Sequence, residues 1–330
     1  MAEFISSFTT GFQDVVAADF PRLIKGVKII ALYDGFVHYR FDGNSRDLEK
    51  VIYFNNTFFV LKTFKGGANF KTMVNAVAGQ KNYYLINRGS FRVRFVQENQ
   101  FAKVDKALAR RAEESVLQNS RLSLDRVSPS TEIWYSIRRE GFSFCGQLIS
   151  KREFTEKNLN KGELRPEVAY MMCVFGGLTS GQVCADPFAG YGSIPIQLIK
   201  KFNPSKLYVS DISSEQVEII RAKKQMADER VDLRVADAFK LEYIGDGQLD
   251  AVITDPPWGF YEDIGDIKTF YNKMFDSFLR VLKTDGKMVI LSARKEELEA
   301  SAAEKGLMIE KSLHTLINGK KASLYLIKRI

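Results

Sequence analysis

The chain has 330 residues, of which 45% are apolar and 27% charged, enough for two or three packed domains and too apolar for a disordered protein. It carries 48 basic and 40 acidic residues, a net charge of +8, and residues 1–150 hold 21 basic against 14 acidic, so +7 of the excess sits in the first half. No apolar run approaches the roughly 18 residues a membrane span needs, and residues 1–20 have no basic segment ahead of an apolar one. Neither a membrane protein nor a secreted one is expected. Two isolated histidines, His38 and His314, and three cysteines without metal-like spacing, Cys145, Cys173 and Cys184, exclude a zinc-finger pattern. The thiols are read as reduced and buried, as in a cytoplasmic protein.

In chain order, residues 27–32, 35–41 and 57–63 read as strands. Between them Ser45–Phe54 has helical spacing, with Ser45 as N-cap and Leu48, Val51 and Ile52 on one face. This is a small ferredoxin-like α/β module over residues 1–66. A helix over 69–78 opens a second module, 67–150. Its strand Ser90–Val96 alternates, with Arg92 and Arg94 on one side. A helix over 103–119 puts Lys103, Lys106, Arg110 and Arg111 on one broad face. The strand 131–137, the turn Arg138-Arg139-Glu140-Gly141 and the strand 142–149 complete it. Residues 151–163 are charged and polar, a linker.

From residue 164 onward the pattern becomes strand, helix, strand. Gln182–Asp186 is a strand, followed by the loop Pro187–Gly192 and a helix over 193–201. Gly190 and Gly192 allow close approach of backbone to a ligand. The loop is neither G-x-G-x-x-G nor a phosphate loop, and the acid at its head favours a cationic ligand over a phosphate. Strands 206–211, 231–235 and 249–253 follow. Each of the four strands runs into an aspartate: Asp186, Asp211, Asp237 and Asp255. Singly, each is an ordinary N-cap. Together they line one edge, where open α/β sheets bind ligands. A strand over 287–292, a helix over 295–305 and two strands, 308–317 and 322–328, joined at Asn318-Gly319 close the chain.

Asp255-Pro256-Pro257-Trp258 carries the chemistry. A carboxylate and a bare proline-flanked carbonyl accept hydrogen bonds from an exocyclic amine, and an aromatic ring stacks on its base. That arrangement holds an –NH2 group as methylation requires.

The two motifs resemble those of the class I S-adenosylmethionine-dependent methyltransferases, in the branch that modifies exocyclic amines of bases. Leu164-Arg165-Pro166 is similar to a stretch that this family carries before the cofactor loop. The resemblance covers 164–330 and implies a Rossmann-like domain with a seven-stranded sheet whose last strand is antiparallel. It implies cofactor contacts from Arg165, Pro166, Asp186, Phe188, Gly190, Gly192, Ser193, Asp211, Ile212, Asp237, Ala238 and Asp255. Asp255, Pro256, Pro257 and Trp258 would handle the base. The order of elements in 67–150 resembles the THUMP domain, an RNA-binding module, although Ser128-Pro129-Ser130 stands where N-P-D is usual. That resemblance implies an RNA partner, tRNA, near Arg92, Arg94, Lys103, Lys106, Arg110, Arg111, Arg138 and Arg139; the sparse histidines and the cysteine spacing lead to an expectation of no metal. The expected activity is methylation of a guanine N2 amine in tRNA, at the acceptor stem or its junction. The alternatives are ribosomal guanine N2, adenine N6 (which D-P-P-W also serves) and a non-catalytic RNA-binding scaffold.

Overall fold

The computed structural model describes residues 2–152, 159–260, 265–317 and 319–330. It divides into two compact units, one of Met1–Phe8 with Ala17–Glu153 and one of Thr9–Val16 with Phe154–Ile330.

The first unit contains β1 (Ala2–Ser7), most of α1 (Gln13–Leu23), β2 (Lys28–Tyr33), β3 (Phe36–Phe41), β4 (Asn56–Lys65), α2 (Phe70–Ala78), β5 (Ser90–Gln97), β6 (Gln100–Phe101), α3 (Lys106–Asn119), β7 (Ser123–Leu124), β8 (Thr131–Ile137) and β9 (Phe142–Lys151). All nine strands form one sheet, in the order β2-β3-β1-β4-β9-β8-β5-β6, with β7 beside β5. The long antiparallel pairing of β4 with β9 makes residues 1–66 and 67–150 share this sheet. Residues Met73, Val74 and Val77 of α2 and Ala112 and Val116 of α3 pack with Phe91, Phe95, Ile133 and Tyr135.

Three local expectations need correction here. Ser45–Lys50 is a 3-10 turn, not a helix to Phe54, and its cap is Asn44, whose Oδ1 accepts the Arg46 N–H at 3.1 Å. The helix expected from 103 starts at Lys106, because the Asp105 side chain caps it through the N–H groups of Ala107 and Leu108. Lys103 therefore precedes the helix and is not on the face of Lys106, Arg110 and Arg111. The strand β1, unrecognised in the sequence, lies inside the sheet between β3 and β4.

The second unit contains α4 (Pro166–Phe175), β10 (Val183–Asp186), α5 (Ser193–Gln197), β11 (Lys206–Asp211), α6 (Ser214–Arg221), β12 (Val231–Val235), β13 (Leu249–Thr254), α7 (Ile267–Val281), β14 (Leu282–Ser292), α8 (Lys295–Glu304), β15 (Leu307–Ile317) and β16 (Lys320–Arg329). The helix expected over 193–201 is α only to Gln197 and continues as a π-helical turn over Leu198–Phe202. The sheet order is β12-β11-β10-β13-β14-β16-β15. The first five strands are parallel, and β16 lies antiparallel between β14 and β15. This is the Rossmann-like seven-stranded sheet with an antiparallel last strand expected from the sequence. Of the two hairpin residues, Gly319 has φ +77°, and Asn318 lies outside the described residues, as do 153–158 of the expected linker.

The chain runs outward from β10 through β11 to β12, then returns to β13 on the other side of β10. Strand order reverses between β10 and β13, and the crevice outside their carboxyl ends is where such sheets take ligands. Helix α7, missed in the sequence, stabilises this region. Asp266 caps it by accepting the Thr269 N–H, and Phe270, Tyr271, Met274, Phe275, Phe278 and Val281 are buried along one stripe. Phe278 is fully buried. Phe278→Ala should cost about 3–5 kcal/mol. A denaturant midpoint unchanged from wild type would show that this stripe does not hold the unit together.

Candidate active site

The site is built on the ends of β10 and β13. Asp186 closes β10 and is 1% exposed; its Oδ1 accepts the Thr254 hydroxyl at 2.8 Å and the Phe188 N–H at 3.4 Å. Its Oδ2 is buried without a partner. Thr254 is the last residue of β13, so one hydrogen bond ties the two switch-point strands at their ends. Sequence reasoning ended that strand at Ile253 and missed Thr254.

The glycine loop is held by the next strand. The Gly190 N–H donates to Asp211 Oδ2 at 2.9 Å, and the Ser213 N–H donates to Asp211 Oδ1 at 2.9 Å. Gly190 has φ +51°, and a Cβ placed on it would meet nothing within 4 Å. The backbone thus faces open space there. Gly192, at φ +79°, starts α5 with its missing side chain against Ile220, and Ser193 is buried behind it. Ile212 is 75% exposed beside Asp211. Asp237 uses Oδ1 to accept the Phe239 N–H at 2.9 Å, and Ala238 is buried. Phe188 is packed against Phe239 and Phe270. The structure therefore brings Asp186, Gly190, Asp211, Asp237 and Asp255 to one sheet edge.

Arg165 and Pro166 sit at the start of α4. Arg165 is buried, donating from Nη2 to Thr9 Oγ1 at 3.1 Å and lying 3.5 Å from Glu167. Its guanidinium is used within the fold, a different setting from the cofactor contact expected of it.

Beyond β13 the Asp255–Trp258 turn leaves two buried polar atoms without partners, Asp255 Oδ1 and Trp258 Nε1. Arg294 Nε donates to the Trp258 carbonyl at 2.7 Å. Burial, with the neighbouring charge of Asp186 adding to it, pushes the Asp255 carboxyl up to about 8, against a weaker opposing effect of the Trp258 indole. Burial also pushes Asp186 up to about 7; Thr254 and the Phe188 N–H oppose it, and Asp211 adds to it. Two carboxyl groups, Asp186 buried and Asp255 half-buried, each with one enclosed oxygen left open, make a site that a positive charge would relieve. S-adenosylmethionine fits on these grounds. Asp186, the Gly190 backbone, Asp211 and Asp237 would hold it.

The basic residues of the first unit are mixed in setting. Lys103, Lys106, Arg110 and Arg111 are exposed, with Arg110 paired to Glu114. Arg92 and Arg94 both turn to Glu132, Arg138 donates to Asn99 Oδ1 at 2.6 Å, and Arg139 lies 3.5 Å from Glu98.

Residues 152–321 match the family model of the RMKL-like methyltransferase domain. The chain belongs to that family. The matched domain is a methyltransferase domain, so methyl transfer is the activity of this family. It is 31% identical over 150 residues to a probable tRNA (guanine(10)-N2)-dimethyltransferase of Methanothermococcus thermolithotrophicus, covering 43% of this chain and 89% of that protein. It is 24% identical over 216 residues to a tRNA (guanine(6)-N2)-methyltransferase of Thermus thermophilus, covering 62% of this chain and 63% of that protein. A third relative, a tRNA (guanine(10)-N2)-dimethyltransferase of Methanothermobacter thermautotrophicus, is matched over 59% of its length, so the chain spans under two thirds of these last two. In fold, it matches the crystal structure of TrmN from Thermus thermophilus with a TM-score of 0.82 at 17% identity, over 100% of both chains. No described helix is long and apolar enough to cross a membrane, and no metal-binding group occurs among the described residues.

The raised carboxyl values have a sign for stability. Asp186 and Asp255 keep protons in the fold that the unfolded chain releases near its ordinary value of 3.8. Their contribution is present below that value and is lost as pH rises through about 7 and about 8. Asp255→Asn should therefore flatten the fall in melting temperature between pH 5 and pH 8. An unchanged slope in thermal scans would remove Asp255 from that role.

Proposed function

We propose that this protein methylates the exocyclic N2 amine of a guanine in tRNA, in the acceptor stem or its junction, and works in the cytoplasm. The observation that carries the reading is the Asp255–Trp258 turn, whose unpartnered Asp255 Oδ1 and Trp258 Nε1 lie at the switch-point edge beside the Gly190 loop. The names of the relatives favour guanine N2 in tRNA, and they differ on the position, 6 or 10.

S-adenosylmethionine supplies a methyl group already activated by its positive sulfonium. Asp186 and Asp255 give that charge a buried acidic setting, and the charge in turn favours their ionised forms. Asp255 Oδ1 and the Pro256 carbonyl accept the two N–H groups of the amine. This makes the nitrogen more pyramidal and aims its lone pair outward. Asp255 then takes the proton that the amine sheds, a role suited to a carboxyl raised toward neutral pH. Trp258 stacks on the base once it has left the helix, which costs a few kcal/mol that stacking offsets in part. Positioning of nucleophile and methyl in line supplies much of the rate.

Residues 67–150 act as a THUMP-like RNA-binding domain next to the 1–66 module. Residues 151–163 link them to the methyltransferase domain at 164–330. The exposed Lys103, Lys106, Arg110 and Arg111 meet the RNA backbone, with Arg92, Arg94, Arg138 and Arg139 nearby. The +7 excess of residues 1–150 is the supporting feature.

The test is incubation with methyl-labelled S-adenosylmethionine and unmodified total RNA, followed by digestion and mass spectrometry. N2-methylguanosine in the tRNA fraction is the expected product. N6-methyladenosine, or label confined to ribosomal RNA, would overturn the substrate and keep the reaction class. Asp255→Ala and Trp258→Ala should each lower kcat/KM by about 100-fold or more. Cofactor affinity, by calorimetry, should stay within a few-fold of wild type in Trp258→Ala and fall in Asp255→Ala, which removes one of the two carboxyl groups set around the sulfonium charge.

A further inference from the structure

Arg294 follows β14, the strand next to β13 on the side away from the glycine loop. Its backbone N–H donates to Ser292 Oγ at 2.8 Å, and its Nε donates to the Trp258 carbonyl at 2.7 Å. Its guanidinium lies 4.9 Å from the ring centroid of Phe260, and Lys320 Nζ lies 3.9 Å from the same centroid. Phe260 is 46% exposed and meets Trp258 edge-on at 6.2 Å. A guanidinium has five N–H donors in a planar fork. One of them holds the Trp258 carbonyl, and no carboxylate pairs with the remaining fork among the described residues.

Arg294 is half-buried, and among the described residues only the Nε of its guanidinium has an acceptor. A partly desolvated cation with open donors favours an anion beside it. The neighbouring chemistry says which anion. Trp258 is the residue that stacks on the extruded base, and an extruded nucleotide carries a phosphate on each side. Arginine is suited to phosphate oxygens because its fork takes two at once.

We propose that Arg294 couples the methylation turn to the RNA: Nε fixes the Trp258 carbonyl while the terminal nitrogens grip a backbone phosphate beside the extruded nucleotide, with Phe260 as the shelf. The inference rests on the reading of the chain as an RNA base methyltransferase. Arg294 has two separable parts, a positioning role toward Trp258 and a binding role toward phosphate. Lysine keeps the charge and loses the planar fork, so it preserves the second part more than the first.

The experiment uses the full chain, total unmodified RNA, and three variants: Arg294→Ala, Arg294→Lys and Phe260→Leu. Arg294→Ala should lower kcat/KM for RNA by about 100-fold and reduce the slope of log affinity against log salt by about 0.7–0.9, the share of one phosphate contact. Affinity for S-adenosylmethionine should stay within twofold. Arg294→Lys should restore the salt slope while kcat stays about tenfold or more below wild type. Phe260→Leu should raise KM for RNA several-fold. An unchanged salt slope in Arg294→Ala, or cofactor affinity that falls as far as RNA affinity, overturns the proposal, because a merely structural arginine gives that result. Label in adenine instead of guanine would sink the substrate reading alone and leave the phosphate grip tested. Absence of label in every RNA overturns both.

Discussion

The hydrogen bond between Asp186 and Thr254 is what the catalytic domain is arranged around. It joins the ends of β10 and β13. On one side of it the chain turns into the glycine loop, and on the other into Asp255 and the two prolines. The glycine loop and the Asp255–Trp258 turn are thus fixed to each other through one buried carboxyl group and one hydroxyl. Burying an aspartate this deeply is unfavourable unless its oxygens are used. The protein uses one internally and leaves the other open, which is the state expected of a group that waits for a positive ligand.

The same logic orders the neighbouring strands. Asp211 commits both oxygens to backbone N–H groups, one from the loop and one from the start of α6. It shapes the loop before any ligand arrives. Asp237 commits one. Four aspartates that look alike in the sequence therefore differ in what remains available to a ligand, and burial and hydrogen bonding make the difference.

Much of the second unit was legible because its strands are apolar runs with a chemical marker at each end. Lys206–Asp211 and Val231–Val235 match the observed strands to the residue. The antiparallel last strand was expected from a turn dipeptide and a resemblance, and the observed pairing agrees. What stayed hidden depended on contacts distant in sequence. Thr254 reads as the tail of a strand, and only the fold puts its hydroxyl against Asp186. Arg294 reads as one more charge after a strand, although a basic residue two positions past a strand end at this sheet edge was a usable signal. Helix α7 had a helical stripe that went unread. In the first unit the alternation that put Arg92 and Arg94 on one face was visible, but not Glu132, which faces both from the neighbouring strand. Net charge counted along a sequence overstates what a surface presents when partners lie across a sheet.

The place of β16 has a consequence for how the molecule is made. Most of the sheet grows outward as the ribosome delivers it, but residues 320–329 go between β14 and β15. Until they emerge, β14 has an open side and β15 has no strand to pair with. Such an edge is a template for association with other chains. The open edge of β14 therefore lasts from the completion of that strand at Ser292 until residues 320–329 arrive, and a slow codon within this hairpin would prolong the most aggregation-prone stage of the sheet.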